Sequence, residues 1–198
     1  MILTIFMGVN MAIKIYIDQG HNPSSPNAGA EGNGLVEQDI TYEIGTRLAA
    51  LLRSNGNFDV RLSRPTPESS LGTSNSSSLR ARVDQANAFG ADYFISLHTN
   101  ASTNSAVSGS EALVYSSPSI ASALGKDILI WLNRATGLRN RGIVERPGLY
   151  VLRKTKMPAV LVEMGFISNT NDALLMNGSP ELFAEGIYKG ILQYTGLL

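Results

Sequence analysis

The 198-residue chain contains no cysteine, which excludes disulfides, thiol nucleophiles, iron–sulfur clusters and every cysteine-ligated zinc site. It has only two histidines, His21 and His98, so a metal site that uses both must be completed by carboxylates. Charge is scarce: 16% of residues are charged, against roughly 25% in an average soluble domain. Sixteen Lys and Arg balance 16 Asp and Glu, so no field of one sign draws nucleic acid or an anionic membrane from a distance. Nucleic acid is therefore not expected as a partner. No apolar run approaches the roughly 18 residues of a membrane-spanning helix, so no membrane span is expected. The N-terminal stretch MILTIFMGVNMAIKIYID has no basic segment ahead of its apolar residues and no small-residue cleavage site. No signal peptide is recognised in it, which leaves an export route open. Met11 reads as an alternative start, and residues 1–11 as an N-terminal extension to one domain at 12–198. What replaces charge is Ser, Asn, Thr and 19 Gly, a neutral polar surface of the kind that suits a glycan. With 43% apolar residues there is enough material for one hydrophobic core.

Strand and helix signals alternate along the chain. Lys14 to Asp18 is a short β-rich run after Ala12 and Ile13, ended by Gln19-Gly20. From Glu37 to Ser54, Ile40, Ile44, Leu48, Leu51 and Leu52 recur at helical spacing, and Asn55-Gly56 supplies a stop. Phe58 to Leu62 reads as a strand, the Ser-rich stretch Ser63 to Ser78 as a surface loop, Leu79 to Phe89 as a helix and Tyr93 to Leu97 as a strand. Strands are expected at Glu111 to Tyr115, Tyr150 to Leu152 and Ala159 to Val162, and helices at Ser119 to Thr136, Ala173 to Met176 and Pro180 to Thr195. This rhythm predicts one α/β domain, with a largely parallel twisted sheet sandwiched between helices.

In open α/β sheets functional residues gather beyond the carboxyl ends of the strands. His21, His98 and Glu163 all lie at such ends, and Glu37, leading the first long helix, returns from the loop that holds His21. Two imidazoles and one carboxylate leave an open position on zinc, the donor set of a hydrolytic site, and a second carboxylate is then needed to accept a proton. Glu37 as ligand and Glu163 as general base fill the two roles economically, since an apolar strand end raises a carboxyl pKa. Glu31 is a rival ligand on the same loop, and a first-turn Glu37 also favours the helix dipole.

The strings DQGH with the following Glu37, ADYFISLHTNA and MPAVLVEMGFISN resemble the zinc-dependent N-acetylmuramoyl-L-alanine amidases, the amidase-3 type of peptidoglycan hydrolase. The resemblance runs from about Ile13 to the C-terminus. It implies that His21, Glu37 and His98 bind Zn2+ and that Glu163 is the catalytic glutamate. It further implies the substrate, peptidoglycan, cut at the amide between the lactyl group of N-acetylmuramic acid and the L-alanine of the stem peptide. Action at the cell wall, on its extracellular or periplasmic side, follows from that substrate. So does a place among autolysins, sporulation enzymes or phage endolysins, with an activating or wall-targeting protein as a conceivable partner. Asn22-Pro23 stands where the family usually has Gly-Gly, so the loop beside the first histidine takes another backbone path, because Pro fixes φ and removes a donor. The connections are too short for the long inserted helix that blocks the zinc in some members, and an open site is expected.

Asn100, Arg64 and Arg82 are candidate substrate contacts; the competing readings are a turn residue for Asn100 and packed or solvated guanidinium groups for the arginines. Asp18 is a candidate partner for a ligand histidine. Two rival functions share these residues: a zinc peptidase acting within the stem peptide, and a non-catalytic relative that binds the wall or regulates another hydrolase.

Overall fold

The computed structural model describes residues 12–198; the extension expected at residues 1–11 lies outside them. In chain order the elements are β1 (Ile13–Gln19), β2 (Glu31–Gly32), β3 (Leu35–Val36), α1 (Glu37–Asn55), β4 (Phe58–Leu62), α2 (Asn75–Phe89), β5 (Tyr93–Asn100), β6 (Ser110–Val114), α3 (Ile120–Thr136), β7 (Asn140–Glu145), α4 (Tyr150–Lys154), β8 (Ala159–Phe166), α5 (Thr170–Gly178) and α6 (Pro180–Thr195). Six strands form one sheet in the order β4-β1-β5-β8-β6-β7, and β2 and β3 form a separate two-stranded ribbon. Within the six-stranded sheet all pairs are parallel except β6 with β8, and the β2–β3 ribbon is antiparallel. The expected α/β architecture is therefore what the chain adopts, with one antiparallel pair inside a mostly parallel sheet. No helix among the described residues is long and apolar enough to cross a membrane.

Strand alternation divides the core in two. Ile15, Ile17, Ile95, Leu97, Val160 and Val162 point to one face, where they meet Ile44 and Leu48 of α1, Leu124 and Ile128 of α3 and Phe183 and Ile187 of α6. Tyr16, Phe94, Leu161 and Leu113 point to the other, where they meet Val83, Ala86 and Phe89 of α2 and Val151 and Leu152 of α4. One face thus carries three long helices, and the other one helix of 15 residues and one of 5. The thinly covered face matters for function, because the polar residues that continue its alternation are Asp18, Ser96, His98, Glu163 and Glu111.

Departures from expectation at α4, α2 and β7 each have a local reason. Tyr150 to Leu152 is not a strand but the start of α4. Val151 and Leu152 are both buried on the same core, which neighbouring residues of a one-sided strand cannot manage but neighbouring residues of a helix can. Helix α2 begins at Asn75, inside the Ser-rich stretch read as loop, because Ser74 accepts from the backbone of Ser77 while the Ser77 side chain returns to the backbone of Ser74, a capping box. Strand β7 carried no readable signal: its residues Asn140–Glu145 are exposed or half-buried at the sheet edge, and Gly142 at φ 85° interrupts its alternation.

Candidate metal centre

The register sets the centre. His98 of β5 sits opposite Glu163 of β8, and Glu163 in turn sits opposite Glu111 of β6, so three adjacent strands place an imidazole and two carboxylates in a row on the thinly covered face. The β2–β3 ribbon turns the chain back so that α1 opens with Glu37, whose backbone N–H donates to Ala30 O at 2.9 Å. Its carboxylate then reaches both histidines, Oε2 lying 3.1 Å from His21 Nε2 and Oε1 2.9 Å from His98 Nδ1. Backbone N–H groups of Ala30 and Thr99 donate to the same two oxygens, each at 2.9 Å. Glu37 is thereby fixed from four directions.

One potential ligand atom from each of His21, Glu37 and His98 lies within 4.8 Å of the others. Glu31, the rival on the loop, belongs to β2 and is exposed. Two glycines make the cluster possible by close approach rather than by backbone freedom. A Cβ on Gly20 would come within 2.6 Å of His98 Cε1, and one on Gly29 within 2.7 Å of Glu37 Cβ, distances that real side chains do not tolerate. A further sign that the cluster fits a cation is that His21 Nδ1 is buried without a hydrogen-bond partner, since buried polar atoms are otherwise nearly always satisfied. Two imidazoles and a carboxylate are a donor set suited to zinc.

The three side chains and Glu163 act strongly on one another's charge. Burial alone would raise the Glu37 carboxyl, but hydrogen bonds from both histidines and their charge hold it far below the ordinary carboxylate range. Burial opposes protonation of His98, yet its contact with Glu37 and the nearby Glu163 and Asp18 raise it. Glu163 is pushed up to about 7, first by burial and further by Glu37 and Glu111, with His98 opposing. Glu163 Oε2 is also buried and unpartnered. An anionic oxygen in that state is costly unless a cation or a proton meets it.

Residues 15–193 match a family described as N-acetylmuramoyl-L-alanine amidase, of amidase-3 type. The chain belongs to this family. It is 36% identical over 180 residues to the N-acetylmuramoyl-L-alanine amidase CwlM of Bacillus licheniformis, covering 90% of the chain and 65% of that relative. It is 34% identical over 186 residues to the amidase LytC of Bacillus subtilis, covering 91% of the chain and 35% of LytC. Among solved structures, the catalytic domain of CwlV, an amidase from Bacillus (Paenibacillus) polymyxa var. colistinus, superposes with a TM-score of 0.81 at 30% identity, covering 94% of the chain and 99% of that domain. The chain thus spans less than two thirds of the length of these two curated amidases and nearly all of the solved catalytic domain.

Within the amidase fold the three candidate substrate contacts have protein partners of their own. Arg64 is buried, its guanidinium donating to Gln38 O at 2.8 Å and Pro67 O at 2.9 Å. Arg82 is buried too, bound to Asp18 Oδ1 at 2.5 Å. The terminal nitrogens of both guanidinium groups are engaged inside the protein, while each Nε is buried without a partner. Asn100 donates to Glu111 Oε1 at 3.0 Å, so it steadies the carboxylate beside Glu163. Asp18 meets Arg82 and Ser96 rather than a histidine side chain. Asn22, at the position that departs from the family, is buried and bonds Pro26 O at 2.8 Å and Leu71 O at 3.0 Å, tying the unusual loop path to the segment before α2.

Sequence reasoning missed Glu111 and Arg141. Glu111 Oε2 lies 3.2 Å from Arg141 Nε, and Arg141 stacks over Phe166 at 5.2 Å. The signal for Glu111 was a carboxylate inside a strand; only the antiparallel pairing with β8, which reverses its direction, brings it to Glu163.

Proposed function

We propose that the chain is a zinc-dependent amidase that hydrolyses the bond between the lactyl group of N-acetylmuramic acid and the L-alanine of the peptidoglycan stem, acting at the cell wall. The observation that carries this reading is the His21–Glu37–His98 cluster beside a buried, unpartnered Glu163 carboxylate, in a chain of this family. His21, Glu37 and His98 would hold the zinc, which when bound polarises a carbonyl and acidifies water. Glu163 accepts the proton of the attacking water at Oε2. As the C–N bond breaks and the new C–O bond completes the lactyl carboxylic acid, Glu163 returns that proton to the amine of L-alanine. Its raised pKa suits both halves, because an acceptor that titrates near neutrality is also a competent donor. Glu111, held by Asn100 and Arg141, keeps a second negative charge opposite Glu163 and so favours its protonated form.

Digestion of purified sacculi followed by mass spectrometry of the products tests the reading. Free stem peptides beginning with L-alanine are expected. Cuts within the stem would transfer the same metal centre to a peptidase, and intact sacculi with zinc-loaded protein would make the chain a wall-binding relative.

A smaller effect concerns pH. Glu163 must be ionised to accept a proton, so kcat/KM rises as pH increases through its pKa. Glu111→Gln removes a negative neighbour and eases ionisation, so the acidic limb of kcat/KM should move to lower pH than in the parent enzyme. A bound cation lowers both pKa values alike, which leaves the direction of the difference intact. An unmoved or raised limb in the pH profile would remove Glu111 from this role.

A further inference from the structure

We propose that Arg82 is a positioning residue that presets His21 for metal binding. The inference rests on the zinc amidase reading and extends it to a side chain outside the ligand cluster. The turn from β1 into the cluster is conformationally demanding: Gly20 must lack a side chain because the His98 ring occupies its Cβ position, and His21 follows at φ 68°, a left-handed conformation uncommon for any residue but glycine. Such a conformation persists only when its surroundings over-determine it.

Arg82 supplies that constraint. From the middle of α2, Nη1 donates to Asp18 Oδ1 at 2.5 Å and Gln19 O at 2.6 Å, with Ser63 Oγ at 3.3 Å. Nη2 donates to His21 O at 2.5 Å and Asn22 Oδ1 at 3.2 Å. One planar group therefore grips residues 18, 19, 21 and 22, on both sides of the glycine, and fixes the direction of the His21 carbonyl. Asp18 is itself held by Ser96 Oγ at 2.8 Å, two residues before His98 on β5. The clamp thus refers the first histidine to the strand that carries the second. A guanidinium can span these acceptors because its donors form a rigid fork, whereas an ammonium is a single point of charge.

Such partners of a ligand typically contribute about 10- to 100-fold in metal affinity. The test is zinc affinity by competition with a chelator on the purified full chain, with far-UV circular dichroism and the melting temperature of the zinc-free form measured in parallel. Arg82→Lys should remain folded, bind zinc about 10- to 100-fold more weakly, and regain kcat near the parent value when zinc saturates. A folded Arg82→Lys with parental zinc affinity overturns the proposal while leaving the amidase reading untouched. A parent chain that binds no zinc overturns both. If Arg82→Lys does not fold, Asp18→Asn, which keeps the shape of the partner and removes its charge, decides: weakened zinc affinity in a folded chain supports the clamp, and unchanged affinity sinks it.

Discussion

Glu163→Gln is expected to bind zinc as tightly as the parent and to release stem peptides about 10²- to 10⁴-fold more slowly, the range that a lost general base commands. The substitution keeps the volume of the side chain at the end of β8, so packing is undisturbed. It does not touch His21, Glu37 or His98, whose hydrogen bonds run among themselves and to Ala30 and Thr99. What changes is the oxygen that has no partner in the fold. An amide placed there cannot take a proton from water. The loss should fall on kcat rather than on KM, because the missing interaction belongs to the transition state. Zinc content by elemental analysis, together with the rate of muropeptide release, checks both halves. Parental turnover in this variant would remove Glu163 from the base role, and loss of zinc would move it into the ligand set. Thermal stability should not fall, because a neutral side chain replaces a carboxylate crowded by Glu37 and Glu111.

The short β-rich runs Lys14 to Asp18 and Tyr93 to Leu97 and the fully apolar Ala159 to Val162 made the central strands, and the positions of His98 and Glu163 at their ends, legible in the sequence. A period of two also assigns both to one face once the strands are paired in register. The stop at Asn55-Gly56 located the end of the first long helix. Illegible were features whose cause lies in tertiary contact. Strand β7 has few apolar residues because it is an edge, and α4 has only five residues, too few to show a period. The internal partners of the arginines were hidden for a physical reason. In sequence, Arg64 and Arg82 beside polar loops look available to a ligand, and only burial reveals that their donors meet backbone carbonyls and Asp18. Glu111 escaped because its neighbour in space is 52 residues away along an antiparallel pairing, which no local pattern encodes.

His98→Ala should lose both metal and activity, and it separates the two contributions of the cluster to stability. Without the imidazole only His21 and Glu37 remain as protein ligands, too few for a zinc site of this kind. Zinc affinity should fall by more than about 100-fold, the upper end for loss of a partner outside the coordination shell. Hydrolysis should fall to background with it, whereas Glu163→Gln keeps the metal. In the zinc-free proteins the substitution also takes a hydrogen bond from Glu37, whose Oε1 lies 2.9 Å from His98 Nδ1. It opens space against Gly20 and beside the His21 ring, whose centroid is 4.9 Å from that of His98. Leaving a buried carboxylate short of a partner costs about 1–3 kcal/mol, partly offset because Thr99 N–H and Ala30 N–H still donate to it. Zinc should raise the melting temperature of the parent, since a ligand that binds only the folded chain stabilises it by mass action, and should leave that of His98→Ala unchanged. Melting curves with and without zinc read both effects at once. A variant still stabilised by stoichiometric zinc would show that the metal lies elsewhere than between His21, Glu37 and His98.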